Sequence, residues 1–391
     1  MSETSKNRAA SPKRIHTKLF AVITAVLWVG MAVFLVGMLL RPAQSTSAAN
    51  VRMDITGEFQ NMLAKKMYDI VQIDSGDVVW ASTKRTYTLS DRDMVAPEPN
   101  PACYGTAEDP GEMEEVLLEA QELLDVQETL FTMETEIVEG SQIQYYLDDT
   151  IFAVTWKQAL DGSVYTFSEV KIAHPSQFRR FLADGKYGAS AEYTAQEMAS
   201  SVNAVVASAG DYYGHRLVGI CVDQGVIYRD DVQTLDNCFI DENGDLLFSH
   251  RGELTDEESA QAYLQEHNVR FSLSFGPIMI EDGQCVVPGY YPIGEIQGMY
   301  PRAAICQMGP LHYVTVVSNY EKPNYTAMHS VNQFARNLQE LGITKAYALD
   351  GGQTATIVMN DQVMNTVSYG AQRKISDIIY FATALPEDEW E

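Results

Sequence analysis

Two short stretches of the chain combine acids, glycines and polar groups in a way that could do chemistry. The first is Ala209-Gly210-Asp211-Tyr212-Tyr213-Gly214, where glycines bracket an acid and two aromatics at the end of an expected strand. Glycine lets the backbone take positive φ and lets a ligand come close. Tyrosine rings offer an apolar face and a polar tip, which suits a sugar. A plain turn, with the aspartate capping its own backbone, would use the same residues. The second is Tyr347-Ala348-Leu349-Asp350-Gly351-Gly352-Gln353-Thr354-Ala355-Thr356, a hydrophobic strand that runs into an acid, two glycines, an amide and hydroxyls. Sites in sheets fed by a preceding helix gather at the carboxyl ends of strands, which is where Asp350 falls. Backbone N–H groups of Gly351 and Gly352 could hold an anion. A tight hairpin would explain Asp-Gly but not the Gln-Thr-Ala-Thr that follows.

Asp350 and Asp211 are therefore the candidate catalytic carboxylates. Gln353, Thr354, Tyr212 and Tyr213 are the candidate substrate contacts. Arg302, after Tyr300-Pro301, and Arg373, in Gly370-Ala371-Gln372-Arg373, lie in loops flanking strands. Their planar guanidinium groups match phosphate or carboxylate in two-point contacts. Other chemistries lack their signatures. There is no G-x-S-x-G, H-E-x-x-H, P-loop or G-x-G-x-x-G after a strand. The seven histidines are scattered, with no two at i, i+4 spacing; no cofactor is expected, and the sequence leaves a metal requirement open.

Charge narrows the partners. The 391 residues carry 27 Lys+Arg against 53 Asp+Glu, a net of −26. Residues 1–52 hold seven of those cations and one anion, leaving 20 against 52, a net of −32, for the remainder. Such a surface repels anionic polymers at long range and excludes a phosphate-tracking nucleic-acid binder. An anionic substrate would have to be met by a few local arginines.

Four segments must carry these residues. Residues 1–18 read as a cytoplasmic tail. Leu19 to Leu40 is 22 residues without a charge, enough to span a bilayer core of about 30 Å. Five cations precede it and only Arg41 follows at once, so the positive-inside rule puts residues 41–391 outside. The expectation is a single-pass membrane protein with its C-terminal part extracytoplasmic. A cleaved signal peptide, with Ser47-Ala48-Ala49 as its site, is the competing reading. Residues 41–139 read as a linker, a helical stalk from Met53 to Gln72, a proline-rich loop at 91–111, a helix from Glu112 to Leu124 and an accessory region. Beyond about residue 140 short strands alternate with helices, which predicts an α+β domain with a mixed sheet over 140–385. Its expected helices are Pro175 to Asp184, Ala195 to Ser201, Thr255 to Glu266 and Val331 to Leu341. Its expected strands include Ile151 to Trp156, Val202 to Ser208, Ser272 to Ile280, Lys345 to Leu349 and Ile378 to Thr383. Five cysteines without a C-x-x-C pair argue against a zinc site. Either Cys221–Cys238 pair as a disulfide or all five are small buried hydrophobes.

Three segments carry a resemblance. Ala207–Asp230 (ASAGDYYGHRLVGICVDQGVIYRD), Pro301–Gly309 (PRAAICQMG) and Ala348–Phe381 (ALDGGQTATIVMNDQVMNTVSYGAQRKISDIIYF) resemble, in order and spacing, the phosphodiester glycosidase domain family. That family includes the enzyme that removes N-acetylglucosamine from a phosphodiester and bacterial domains linked to exopolysaccharide. The resemblance covers about residues 140–385. It implies a hydrolase of a sugar-1-phosphate diester in a cell-surface glycopolymer. Asp350 and Asp211 would act at the anomeric carbon, and Arg302 and Arg373 on the phosphate. Three positions depart from the pattern: Ala209 replaces an Asn, Ala355 replaces a hydroxyl residue, and Ser318-Asn319-Tyr320 replaces Asp-Gly-Arg. The alternative reading is a non-catalytic glycan-binding or cell-envelope assembly protein on the same fold.

Overall fold

The computed structural model describes residues 88–90, 95–126, 128–232, 234–292 and 296–390. The expected membrane span at 19–40 and the stalk helix at 53–72 lie outside these residues. No helix among the described residues is long and apolar enough to cross a membrane.

In chain order the strands are β1 (Tyr104–Ala107), β2 (Ile143–Leu147), β3 (Ile151–Leu160), β4 (Ser163–Ile172), β5 (Phe178–Leu182), β6 (Val206–Ala209), β7 (Ile220–Asp223), β8 (Val226–Asp230), β9 (Asn237–Ile240) and β10 (Leu246–Ser249). They continue as β11 (Phe271–Leu273), β12 (Ile278–Glu281), β13 (Gln284–Cys285), β14 (Arg302–Gly309), β15 (His312–Asn319), β16 (Lys345–Leu349), β17 (Ile357–Met359), β18 (Gln362–Val363) and β19 (Asp377–Phe381). The α-helices are α1 (Glu114–Leu124), α2 (Ala195–Ser201), α3 (Glu257–Glu266) and α4 (Val331–Glu340). Local chemistry sets their ends. Thr194 and Glu197 close a reciprocal capping box at the start of α2, and the Ser330 side chain accepts the Gln333 N–H at the start of α4. Such caps satisfy N–H groups that have no partner inside the helix.

A nine-stranded sheet runs in the order β1-β2-β3-β4-β15-β14-β16-β12-β13, and a five-stranded sheet in the order β18-β17-β6-β19-β5. A three-stranded sheet (β10-β9-β11) and the β7–β8 hairpin complete the domain. The α+β class holds. The strand pairings are antiparallel throughout, for example β14 with β15 and with β16, so the sheets are not mixed in direction as expected. One cluster joins the large sheet to α1 and α4 through Met113, Phe131, Trp156, Phe167, Phe334 and Leu338. A second fills the space between the two larger sheets with Tyr146, Phe178, Ile305, Tyr347, Ile357 and Phe381. A third packs the other side of the five-stranded sheet on α2 through Met198, Ala199, Ile378 and Tyr380. Burying each large apolar side chain contributes roughly 1.5–3 kcal/mol, so these layers fix the strand ends on which the site is built.

Several expected elements differ. Pro175 to Asp184 is a 3-10 turn followed by strand β5, not a helix. All five β5 residues are buried, including Arg179 and Arg180. A strand between a partner strand and the loops above it can bury both of its faces, whereas a surface helix would leave one face wet. Ser272 to Ile280 breaks into β11 and β12, because the Ser274 N–H leaves the sheet to donate to Asp211 Oδ2 at 2.8 Å. Part of the expected 91–111 loop forms β1, which pairs with β2. Residues 104–131 thus contribute an edge strand, α1 and part of the main core. All five cysteines are free. Cys221 lies 3.9 Å from Arg180 Nη1, while Cys238 belongs to the core between the sheets.

Candidate active site

The two motifs meet where β6 and β16, strands of different sheets, end side by side. Backbone hydrogen bonds make the junction: the Asp350 N–H donates to the Gly210 carbonyl at 3.3 Å and the Gly352 N–H to the Pro301 carbonyl at 2.8 Å. The β14–β16 register, which opposes Ala303 to Leu349, carries Arg302 alongside Asp350. Gly351 must lack a side chain here, since a Cβ would lie 2.6 Å from the Pro301 carbonyl oxygen. A cavity of about 210 Å³ opens at this point, lined by Phe275, Tyr300, Arg302, Asp350, Gly351 and Gly352 among others.

Asp350 is 8% exposed at this cavity. Its Oδ2 accepts a hydrogen bond from Arg373 Nη2 at 2.7 Å. Burial pushes its carboxyl above the usual range, opposed by the charges of Arg373 and Arg216 and by the hydrogen bond from Arg373. The Arg373 guanidinium lies 5.1 Å from the Tyr212 ring centre. Arg216 lies 5.8 Å from the same ring and 4.2 Å from that of Phe275, and its Nη1 donates to the Phe275 carbonyl at 3.1 Å. Burial lowers its pKa. His215 stacks on Tyr212 at 4.6 Å and faces Glu192 at 2.6 Å. One carboxylate, two guanidinium groups and an aromatic ring therefore converge. That set can hold an anion while keeping a basic oxygen beside it.

Asp350, Arg373 and Tyr212 are thus brought together as the sequence suggested. Asp211 is not in the cleft. Its side chain is 1% exposed, and both oxygens are in use. Oδ1 accepts from Arg180 Nη2 at 3.0 Å and from the Tyr213 N–H at 2.8 Å; Oδ2 accepts from the Ser274 N–H. Arg180 also bonds Asp377, at 2.8 Å from Nη2 and 2.9 Å from Nε. Asp211 is therefore a buried anchor for the Asp-Tyr-Tyr loop, not a cleft carboxylate. Tyr213 lies beneath the loop, its ring centre 5.1 Å from the Arg180 guanidinium. Gly210 serves the same packing, because a Cβ there would lie 2.2 Å from Asp377 Oδ2.

Arg302 lines the cavity but gives hydrogen bonds to the backbone carbonyls of His329, from Nε at 3.0 Å, and of Gly298. It buttresses the Tyr300 loop. The Gly352 N–H, expected to bind an anion, is committed to Pro301. Thr354 is buried and its hydroxyl donates to the Gly351 carbonyl at 2.7 Å, while Gln353 Nε2 donates to the Ala371 carbonyl at 2.9 Å. Both hold the loop that carries Asp350. Reasoning from the sequence missed Arg180 and Arg216. Arg216 had a signal, since it lies two residues beyond the glycine-bounded loop that carries Tyr212. No group of three or more metal-ligating side chains occurs among the described residues.

The comparisons with known proteins fall on this region. Residues 200–382 match the family model described as phosphodiester glycosidase. Among solved structures the chain is similar to the zebrafish N-acetylglucosamine-1-phosphodiester alpha-N-acetylglucosaminidase catalytic domain auto-inhibited by pro-peptide. That similarity has 16% identity and a TM-score of 0.48 over 67% of this chain and 93% of that one. It is also similar to a hypothetical protein from Synechocystis, with 14% identity and a TM-score of 0.41 over 59% of this chain and 62% of that one. No curated protein matches. The matched region carries Tyr212, Arg216, Asp350 and Arg373, and by that match residues 200–382 form a phosphodiester glycosidase domain.

Proposed function

We propose that the chain cleaves the glycosidic bond of a sugar-1-phosphate diester in a cell-surface glycopolymer. The observation that carries this reading is the Arg373–Asp350 pair at the cavity, with Tyr212 and Arg216 against it. A phosphodiester group entering beside Arg373 takes over that guanidinium from Asp350. Phosphomonoester is a good leaving group and needs little protonation. Stabilisation of its charge by Arg373 and Arg216 is then the main electrostatic contribution. Asp350, freed from its partner and basic through burial, supplies the oxygen that acts at the anomeric carbon. The anomer released distinguishes its two modes: retention follows direct attack and inversion follows activation of water. Asp211, through Arg180, holds the loop that presents Tyr212.

The test is the soluble outer domain on N-acetylglucosamine-1-phosphate diesters, with sugar release measured. Arg373→Gln should lower kcat/KM about 10- to 150-fold, the equivalent of a charge-assisted hydrogen bond of roughly 1.5–3 kcal/mol. Its thermal midpoint should fall only modestly, because the pair is half-open to solvent, with the Arg373 side chain 41% and the Asp350 side chain 11% exposed. Full activity in the variant would remove Arg373 from the reaction. A parent that binds such diesters without releasing sugar would point to the glycan-binding reading.

The same proposal places the domain outside a membrane, anchored through Leu19–Leu40. The charge asymmetry around that segment supports it. Protease added to intact cells should digest the chain beyond Arg52 and spare the N-terminal tail. Recovery of the domain in the medium, with a new N-terminus near residue 50, would show instead that the segment is cleaved.

A further inference from the structure

His329 is buried just before the Ser330 cap of α4. Its imidazole closes a ring of hydrogen bonds whose directions are all set by one carboxylate. A carboxylate only accepts, so Gln333 Nε2 donates to Asp161 Oδ2, at 2.6 Å. The same nitrogen donates to Asn337 Oδ1 at 3.1 Å. That leaves Asn337 Nδ2 to donate to the Tyr165 hydroxyl oxygen at 2.9 Å. The Tyr165 proton must then go to His329 Nδ1, 2.7 Å away. With Nδ1 accepting, the neutral imidazole carries its proton on Nε2, which faces the Asp161 carbonyl at 3.3 Å. Burial holds the Tyr165 phenol above its usual range, so it stays a donor at neutral pH. Phe167 and Phe334 pack its ring at 5.9 and 5.5 Å between centres.

What this ring fixes is the backbone of His329. Its carbonyl accepts from the Tyr300 N–H at 3.4 Å and from Arg302 Nε at 3.0 Å. Tyr300, Pro301 and Arg302 line the cavity together with Asp350. The Pro301 carbonyl between them accepts the Gly352 N–H at 2.8 Å and stands where a Gly351 side chain would be. A continuous path therefore runs from the buried ring to the turn that follows Asp350. Arg373, Tyr212 and Arg216 reach the cleft on other segments.

We propose that His329 is a positioning residue: held in one tautomer and one orientation by Tyr165, it sets where the Asp350 carboxyl stands relative to the anomeric carbon. This rests on the hydrolase reading of the cleft. A displacement of about 1 Å caused far from the chemistry can cost about 10²-fold in rate. The phosphate is held by Arg373 and Arg216, so substrate binding does not run through this path.

The experiment compares the full chain with Tyr165→Phe, His329→Phe and His329→Asn. Two quantities are measured: turnover of N-acetylglucosamine-1-phosphate diesters, and amide hydrogen exchange of peptides covering residues 350–356. Tyr165→Phe and His329→Phe should lower kcat about ten- to hundredfold and leave KM within about twofold of the parent's. Exchange at 350–356 should quicken at least about fivefold, the scale of one buried hydrogen bond lost. His329→Asn places an acceptor where Nδ1 stands, so it should keep most of the parent's kcat and slow exchange. Parent-like kcat or parent-like exchange in a folded Tyr165→Phe protein would overturn the proposal. So would a rise in KM in place of the fall in kcat, or equal losses in His329→Asn and His329→Phe. Should Tyr165→Phe not fold, the two His329 variants decide on the same readouts. A parent that turns over no diester removes the hydrolase reading, and exchange alone then decides. Quickening in His329→Phe that is absent in His329→Asn keeps His329 as the residue that positions the turn, and unchanged exchange ends that role.

Discussion

Asp350→Asn should leave a folded protein whose sugar release from phosphodiesters falls by at least about 10²–10⁴, the contribution of one positioned proton-transfer group. The loss should be larger if Asp350 is the nucleophile. The amide keeps the volume of the carboxyl and can still accept a hydrogen bond from Arg373, so the loop after β16 retains its shape. Stability provides the control, and its sign follows from burial. The Asp350 carboxyl is held above its usual range in the folded state. Between the unfolded and folded values, the folded protein keeps a proton that the unfolded chain has released. The parent is therefore stabilised on the acid side of that window and loses this stability as pH rises through it. Asparagine does not titrate. Relative to the parent, the thermal midpoint of Asp350→Asn should rise as pH moves from the ordinary carboxylate range toward neutrality. Such a variant, stable but inactive, has the signature of a residue kept for chemistry at some expense in folding. A folded Asp350→Asn protein as active as the parent would end the catalytic assignment.

The features legible in the sequence are those that a single segment declares. Lys345 to Leu349 is an apolar strand stopped by Asp-Gly-Gly, and β16 ends there. Ala195 to Ser201 and Val331 to Glu340 carry their own caps and are helices. Asp350, Arg373 and Tyr212 are legible because each lies at a strand end or in a glycine-bounded loop. What the sequence conceals depends on partners far along the chain. Phe178-Arg179-Arg180-Phe181 has the spacing of a helix face, yet β5 forms because Asp211 and Asp377, 31 and 197 residues away from Arg180, receive its guanidinium. Asp211 is misread for the same reason. A carboxylate between glycine and aromatics looks alike whether it faces a ligand or a buried arginine, and only the third dimension separates the two. Likewise Gly210 makes room for the Asp377 carboxylate, not for substrate.

That buried centre carries the largest expected effect on stability. Arg180 is enclosed by Asp211 and Asp377, with its Nη1 also directed to the Ser272 carbonyl. Two carboxylates share one cation, and burial drives Asp377 well above the usual carboxylate range despite the arginine beside it. Removing that cation strands negative charge in the interior. Breaking a buried pair from one side costs about 3–5 kcal/mol, so Arg180→Met should lower unfolding free energy by that amount in urea titrations at neutral pH. Without the arginine the Asp377 pKa climbs further, and the folded state takes up protons that the unfolded chain lacks. The deficit should therefore shrink as pH falls toward the carboxylate range. Adding Asp377→Asn should recover part of it at neutral pH, because one of the stranded charges is gone. The two substitutions would then be non-additive, as residues in one network are. A variant with the parent's stability but no turnover would instead make Arg180 a substrate contact, and the role of Asp211 as a buried anchor would fall with it.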